Sequence, residues 1–310
     1  MANTGNHADY MVDAYCEVMG WDDTDTVTDR PNALIGVNRA YRRFLGGQHP
    51  DTPGVPHPWS FLRPMGSIQI PVSITGTGTG TFATGSTTIV DDDSGDLFTN
   101  GTHPSGEIGL GILVDGVGLL RVTTVSDTNT IIATGGVANF TSKTFYTGMQ
   151  VDMPADFAGL VTPFFYPYDS AEGTGPRFTE MSPERMLLEL QESPSSGTPY
   201  QYALVPLPIF TATVGQRYAA IFWPVADADR VIQFRYRSVP ADVTDSTTCF
   251  FVGGVDHSDT IELAVRAKAE FASRKKEGTY EAAFLTAMMG SIGRDATMFY
   301  TEAMPHIVEG

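Results

Sequence analysis

Gly111-Ile-Leu-Val-Asp-Gly-Val-Gly-Leu-Leu-Arg-Val-Thr-Thr-Val125 consists of two short apolar runs joined through Asp115-Gly116, a dipeptide that favours a tight hairpin turn. Period-two alternation recurs nearby at Thr87–Val90 and Thr130–Ala133, as half-buried strands require. From Pro71 to about Gly148 the chain is dominated by Gly, Thr, Val and Ile, with almost no Lys or Arg and no helix-forming run. Residues 71–148 therefore read as an inserted all-β barrel or sandwich module. The module holds seven acidic residues against Arg121 and Lys143, so it is expected to face solvent or an electropositive partner and not DNA.

Outward from this stretch the period changes. Tyr10, Met11, Ala14, Tyr15 and Val18 predict an amphipathic helix over 8–19. Thr28 and Asp29 are candidate caps, Pro31 fits a first turn, and Leu34, Val37, Tyr41, Phe44 and Leu45 predict a helix over 30–45. Beyond the insert, Val151–Asp156 and Phe164–Tyr168 are extended, and Ser182-Pro183 opens a helix through Leu190. Tyr200–Leu204, Tyr218–Trp223 and Val231–Tyr236 alternate like strands of a small antiparallel sheet. Asp256, Ser258 or Asp259 is expected to cap a helix through Phe271, and Thr279 to open another through Ile292. The expected fold is α+β: helical N- and C-terminal segments around a small antiparallel β-sheet, with the β-module inserted. Residues 1–70 and 149–296 form the core in this reading, and 297–310 form a tail.

The totals exclude several classes. With 310 residues, 42% of them apolar, the chain can bury a large core. A net charge of −17 argues against a protein that wraps nucleic acid, although an acidic wall that DNA slides past remains compatible. Cys16 and Cys249 form no zinc or redox spacing. No apolar run of about 18 residues occurs, and the N-terminus lacks the basic start and apolar stretch of a signal peptide, so synthesis in a cytoplasm is expected.

Few residue patterns in the chain carry chemistry. Asp256-His257-Ser258-Asp259 has the residue types of a hydrolase, but neighbours at a helix start point apart, and capping explains them better. In Asp91-Asp92-Asp93-Ser94-Gly95-Asp96, Gly95 replaces a calcium ligand and Thr102 the bidentate Glu, so a solvated turn is preferred. Gly76-Thr-Gly-Thr-Gly-Thr81 lacks the Lys-Ser/Thr ending of a phosphate loop and reads as a linker or strand edge. The six histidines show no ligand pairing. Trp59, Phe61 and Trp223 suit core or interface positions better than a carbohydrate groove. No catalytic residue, metal or cofactor is expected.

Between positions 30 and 63 the segment is locally basic: Arg30, Arg39, Arg42, Arg43 and Arg63 meet only Asp51. Arg39, Arg42 and Arg43 are the candidate contact with phosphate or an acidic partner. The alternative is a solvated helix face with Arg stems lying over aromatics.

Asn38-Arg-Ala-Tyr-Arg-Arg-Phe-Leu45 followed by His57-Pro-Trp-Ser-Phe-Leu-Arg-Pro64 resembles the opening of tailed-phage head-to-tail adaptor proteins, in which a helical start leads to a W-S-F-L turn. Val151–Leu160, Arg217–Pro224, Phe234–Pro240 and the helix from His257 to Lys275 resemble later pieces of that family in the same order. The likeness covers about 25–70 and 149–295 and leaves the β-module unexplained. It implies a virion protein of the neck region: a ring of about twelve copies below the portal, joining capsid to tail and retaining DNA that passes without sequence-specific binding. It implies contacts with itself, the portal and a tail, nozzle or stopper protein, and no membrane. Its tail is expected to dock on the portal through Met298, Phe299, Tyr300, Met304 and Ile307, a frayed terminus being the alternative. Rival readings are another neck or tail component (stopper, nozzle or tail-tube subunit), a carbohydrate-binding β-protein using 71–148, and a hydrolase around His257.

Overall fold

How the strands and helices are joined is seen in a computed structural model, which describes residues 7–47, 56–83, 85–92, 111–127, 129–135, 138–167, 178–192, 195–207, 216–245 and 249–303. The α-helices described are α1 (Ala8–Met19), α2 (Asp29–Gly46), α3 (Pro183–Glu192), α4 (Ser258–Arg274) and α5 (Thr279–Ala303). The chain divides into two units: Met1–Pro64 with Ser238–Gly310, and Met65–Arg237.

The first unit is helical. α1, α2 and α5 each pack on α4, because their apolar residues recur at helical spacing. Met11, Val12 and Tyr15 of α1 meet Val37, Tyr41 and Phe44 of α2, Ile261 and Val265 of α4, and Phe284 and Met288 of α5 in one buried core. Gly36 lets α1 approach α2 closely: a Cβ there would lie 2.3 Å from the Tyr15 ring. Two expected caps form differently. Thr28 makes no side-chain cap bond, and Asp25 Oδ1 instead accepts from the Val27 and Thr28 N–H groups in the turn just before α2; the Ser258 hydroxyl donates to the Val255 carbonyl.

The second unit is β-rich. Its strands are β1 (Met65–Ile70), β2 (Thr75–Ala83), β3 (Ser86–Asp91), β4 (Gly111–Val114), β5 (Gly118–Asp127), β6 (Thr130–Thr134), β7 (Phe140–Asp152), β8 (Phe157–Leu160), β9 (Thr179–Glu180), β10 (Ser196–Gly197), β11 (Gln201–Leu207), β12 (Arg217–Trp223), β13 (Val225–Ala226) and β14 (Arg230–Ser238). Nine join in the order β2-β3-β6-β5-β4-β7-β12-β11-β9, and a further β2–β7 pairing closes six of them into an antiparallel barrel. β1, β14 and β8 form a separate three-stranded sheet, and β10 pairs with β13. Met186 and Leu190 of α3 cover Leu113, Ala203 and Ile221.

This corrects the expected fold class. The described residues do not form helical segments around a small sheet; the barrel and the strands after it are one hydrogen-bonded sheet of nine strands. The reason lies in β7. Its residues 140–146 pair with β2, while 150–152 pair along the same edge with β12. Between them Gly148, at φ +70°, marks the bulge where β7 changes partner. In sequence that glycine looks like the end of a module.

The Gly-Thr repeat also acquires a function. It is β2, whose buried glycines leave room inside the barrel for rings from β7: a Cβ on Gly80 would lie 2.1 Å from Phe140, and one on Gly78 3.1 Å from Phe145. The phenylalanines occupy that volume and pack with Ile89, Ile112, Leu120 and Ile131.

Candidate functional site

The residues that carry chemistry in the helical unit converge on the segment 57–62. α2 ends at Gly47, whose φ of +44° turns the chain, and whose missing side chain admits Trp59: a Cβ would lie 2.8 Å from the indole nitrogen. Trp59 is buried, donates from Nε1 to the Leu45 carbonyl at 3.0 Å, and has its ring 4.9 Å from Phe44 and 5.2 Å from Phe61. Next to it Asp295 of α5, only 2% exposed, is gripped from the same segment. Ser60 donates to it from Oγ at 2.5 Å and from its backbone N–H at 3.1 Å, and His57 Nε2 lies 2.7 Å from its other oxygen. This brace joins α2 to α5 within one unit. A neighbouring hydroxyl pair, Thr260 and Ser291 at 2.7 Å, joins α4 to α5.

His257 lies in the same region, buried with ring centroids 5.4 Å from Trp59 and Phe61, and its Nδ1 has no partner. Burial, seconded by the Arg294 charge, holds its pKa below the usual histidine value. It is a neutral core histidine. Ser258 turns back to Val255, and Asp256 and Asp259 are exposed, so the four hydrolase-type residues do not assemble a catalytic group.

The basic segment is largely answered by its own chain. Arg30 is gripped by Asp9, Asp13 and Asp245 at 2.7–2.8 Å, and the Asp245 hydrogen bonds foremost keep it charged. Arg42 forks onto Asp242 at 2.6 Å. Arg43 forks onto Glu281 and lies 4.8 Å from the Phe284 ring, as expected of an arginine stem over an aromatic. Arg39, on the same helix, is exposed. No family model and no curated protein matches this chain.

Other expectations have definite places. Met298, Phe299 and Tyr300 lie on the last turns of α5, while Met304 and Ile307 fall outside the described residues. Asp92 accepts hydrogen bonds from the Thr79 and Ser142 hydroxyls of β2 and β7, and Asp93–Asp96, the rest of the expected turn, fall outside the described residues. Among the described residues no cluster of His, Cys, Asp and Glu could hold a metal, and no helix is long and apolar enough to cross a membrane. Cys16 and Cys249 are free thiols, and burial pushes the Cys16 thiol up to about 11. Trp59 belongs to the helical core, and Trp223 lies in the β unit, where it meets Tyr200. Sequence reasoning missed Asp295. Its signal is that α5 carries no charge from Ala282 to Gly293, while Glu281 and Asp295 fall on the buried face.

Proposed function

We propose that this chain is a structural virion protein, a head-to-tail adaptor that forms a ring below the portal of a tailed phage and joins capsid to tail. One observation carries the reading: the two stretches that resemble the adaptor family, Asn38–Leu45 and His57–Pro64, are a single piece of structure. Trp59 and Phe61 pack on Phe44 of the first stretch, and His57 and Ser60 hold α5 through Asp295. A ring subunit needs such a brace, because it fixes the helix that leads into the portal-docking tail. Of the three candidate arginines, Arg39 is the one left to meet phosphate or an acidic partner, since Arg42 and Arg43 are paired internally. The net charge of −17 suits a wall that DNA passes without adhering. The reading needs no catalytic residue and no cofactor.

Native mass spectrometry of the chain, alone and mixed with its portal, tests this. The expected result is a closed ring assembled on the portal. A stable monomer indifferent to the portal would overturn it. A ring that assembles on tail proteins alone would favour a stopper, nozzle or tail-tube subunit.

A further inference from the structure

The three-stranded sheet β1-β14-β8 buries one face and exposes the other. Ile68, Ile232, Phe234 and Tyr236 pack into the aromatic core of the β unit. The alternate residues of the two strands turn outward. Met65, opposite Arg235, is 58% exposed, and Val231 is 50% exposed. Phe165, bridged to Gln233, extends this surface, and the exposed Arg237 reaches toward β8, its Nη2 3.5 Å from the Ala158 carbonyl. β1 and β14 contain no Asp or Glu, although the chain has 36 acidic residues against 19 basic ones. The outer face is therefore apolar and basic on an acidic molecule, a combination that suits a protein contact.

The same chain carries a complementary surface in its helical unit, the turn between α1 and α2. Residues 21–29 include Asp22, Asp23, Asp25 and Asp29 and no Lys or Arg. The turn is held in shape by its own bonds: Asp22 Oδ1 accepts from the Thr24 N–H at 2.8 Å, Asp25 Oδ1 from the Val27 N–H at 2.8 Å, and Asp29 Oδ2 from the Asp22 N–H at 3.0 Å. Val27 projects from it, 83% exposed, more than any other large apolar side chain among the described residues. Arg30, which follows, has its charge engaged by Asp9, Asp13 and Asp245. The turn is thus an acidic knob with an apolar tip. We infer that this knob docks on the outer face of the β1-β14-β8 sheet of a second copy of the chain, Val27 meeting its apolar residues and the carboxylates meeting Arg235 and Arg237. Two different patches of one chain meet in such a contact, so it is head-to-tail and repeats into a ring or a filament. The contact is argued from the two surfaces, and its closure into a ring rests on the adaptor reading.

The test is sedimentation velocity of the full-length chain over a concentration series at low and high salt, with two charge-reversing variants. Asp23→Arg/Thr26→Arg makes the knob basic and leaves the side-chain bonds of Asp22, Asp25 and Asp29 in place; Gln233→Glu/Arg237→Glu makes the sheet face acidic. The parent should associate as concentration rises, less so at high salt. Each variant alone should associate roughly tenfold more weakly, with unchanged circular dichroism. An equimolar mixture of the two should regain the parental association, because each reversed knob then meets a reversed face. A parent that stays monomeric throughout, variants that associate like the parent, or a mixture without rescue would overturn the contact. So would a sheet variant that loses binding to a double-stranded DNA oligonucleotide while self-association is intact, which would make nucleic acid the occupant. Adding the portal separates the two readings. A ring on the portal that both variants form as well as the parent overturns the contact and spares the adaptor reading, whereas rescue on mixing with no ring on the portal keeps the contact and removes the adaptor reading.

Discussion

The helical unit and the β unit solve the same problem, satisfying buried polar groups, by different means. In the β unit the backbone does most of it: closure of β2 on β7 leaves the barrel without an edge, and the core is mainly aromatic and aliphatic, with Thr87 and Asp91 buried beside Ile89 on one face of β3. Helices satisfy their own backbones and offer no ladder to a neighbour. The helical unit therefore sets its helices against each other with long-range side-chain bonds. Asp295 holds the 57–60 segment, Arg30 gathers three carboxylates, and the buried Glu270 accepts from the Tyr280 N–H to turn α4 into α5. Single polar substitutions should therefore damage the helical unit, and changes of volume should damage the barrel.

Asp295→Ala should have the largest effect. It leaves the Ser60 N–H and hydroxyl and His57 without their shared acceptor, a loss of about 3 kcal/mol. Calorimetry should show the helical transition lowered by roughly 10 °C, with the β transition in place. A drop of both together would mean the two units do not unfold independently. Gly80→Val should do the reverse, costing about 2 kcal/mol by forcing Phe140 from its site and lowering only the β transition.

A pH titration sharpens the contrast. The folded pKa of His257 is depressed, so the unfolded chain binds the extra proton more readily. The helical unit should keep this contribution above the ordinary histidine pKa of about 6.5 and lose it as pH falls toward the folded value. In His257→Phe this part of the slope, followed by denaturant melts between pH 7 and 5, should flatten. The smallest effect belongs to Arg42→Ala. Its pair with Asp242 is 66% and 50% exposed, so stability should change by less than about 1 kcal/mol.

What was legible in the sequence follows the same division. α1, α2, α4 and α5 were readable because Tyr15, Val37, Phe44, Ile261, Phe284 and their neighbours repeat at helical spacing. The β4–β5 hairpin was readable from Asp115-Gly116. Sheet assembly was not. No local signal says that β7 carries two partners on one edge, and Gly148, which marks the change, is indistinguishable in sequence from a boundary glycine. Glycine alternation in β2 hid a strand, because the side chains that fill its inner face belong to Phe140 and Phe145, some 60 residues on. The basic helix was visible, but its neutralisation by Asp242 and Glu281 was not, since those residues come about 200 positions later.

The most direct test of the adaptor reading is imaging of intact particles with the neck averaged by its own symmetry. The expected image is a ring of this chain between portal and tail, each subunit showing a four-helix unit and a six-stranded barrel. Particles whose neck contains no copy of the chain, or which carry it elsewhere on the virion, would contradict it.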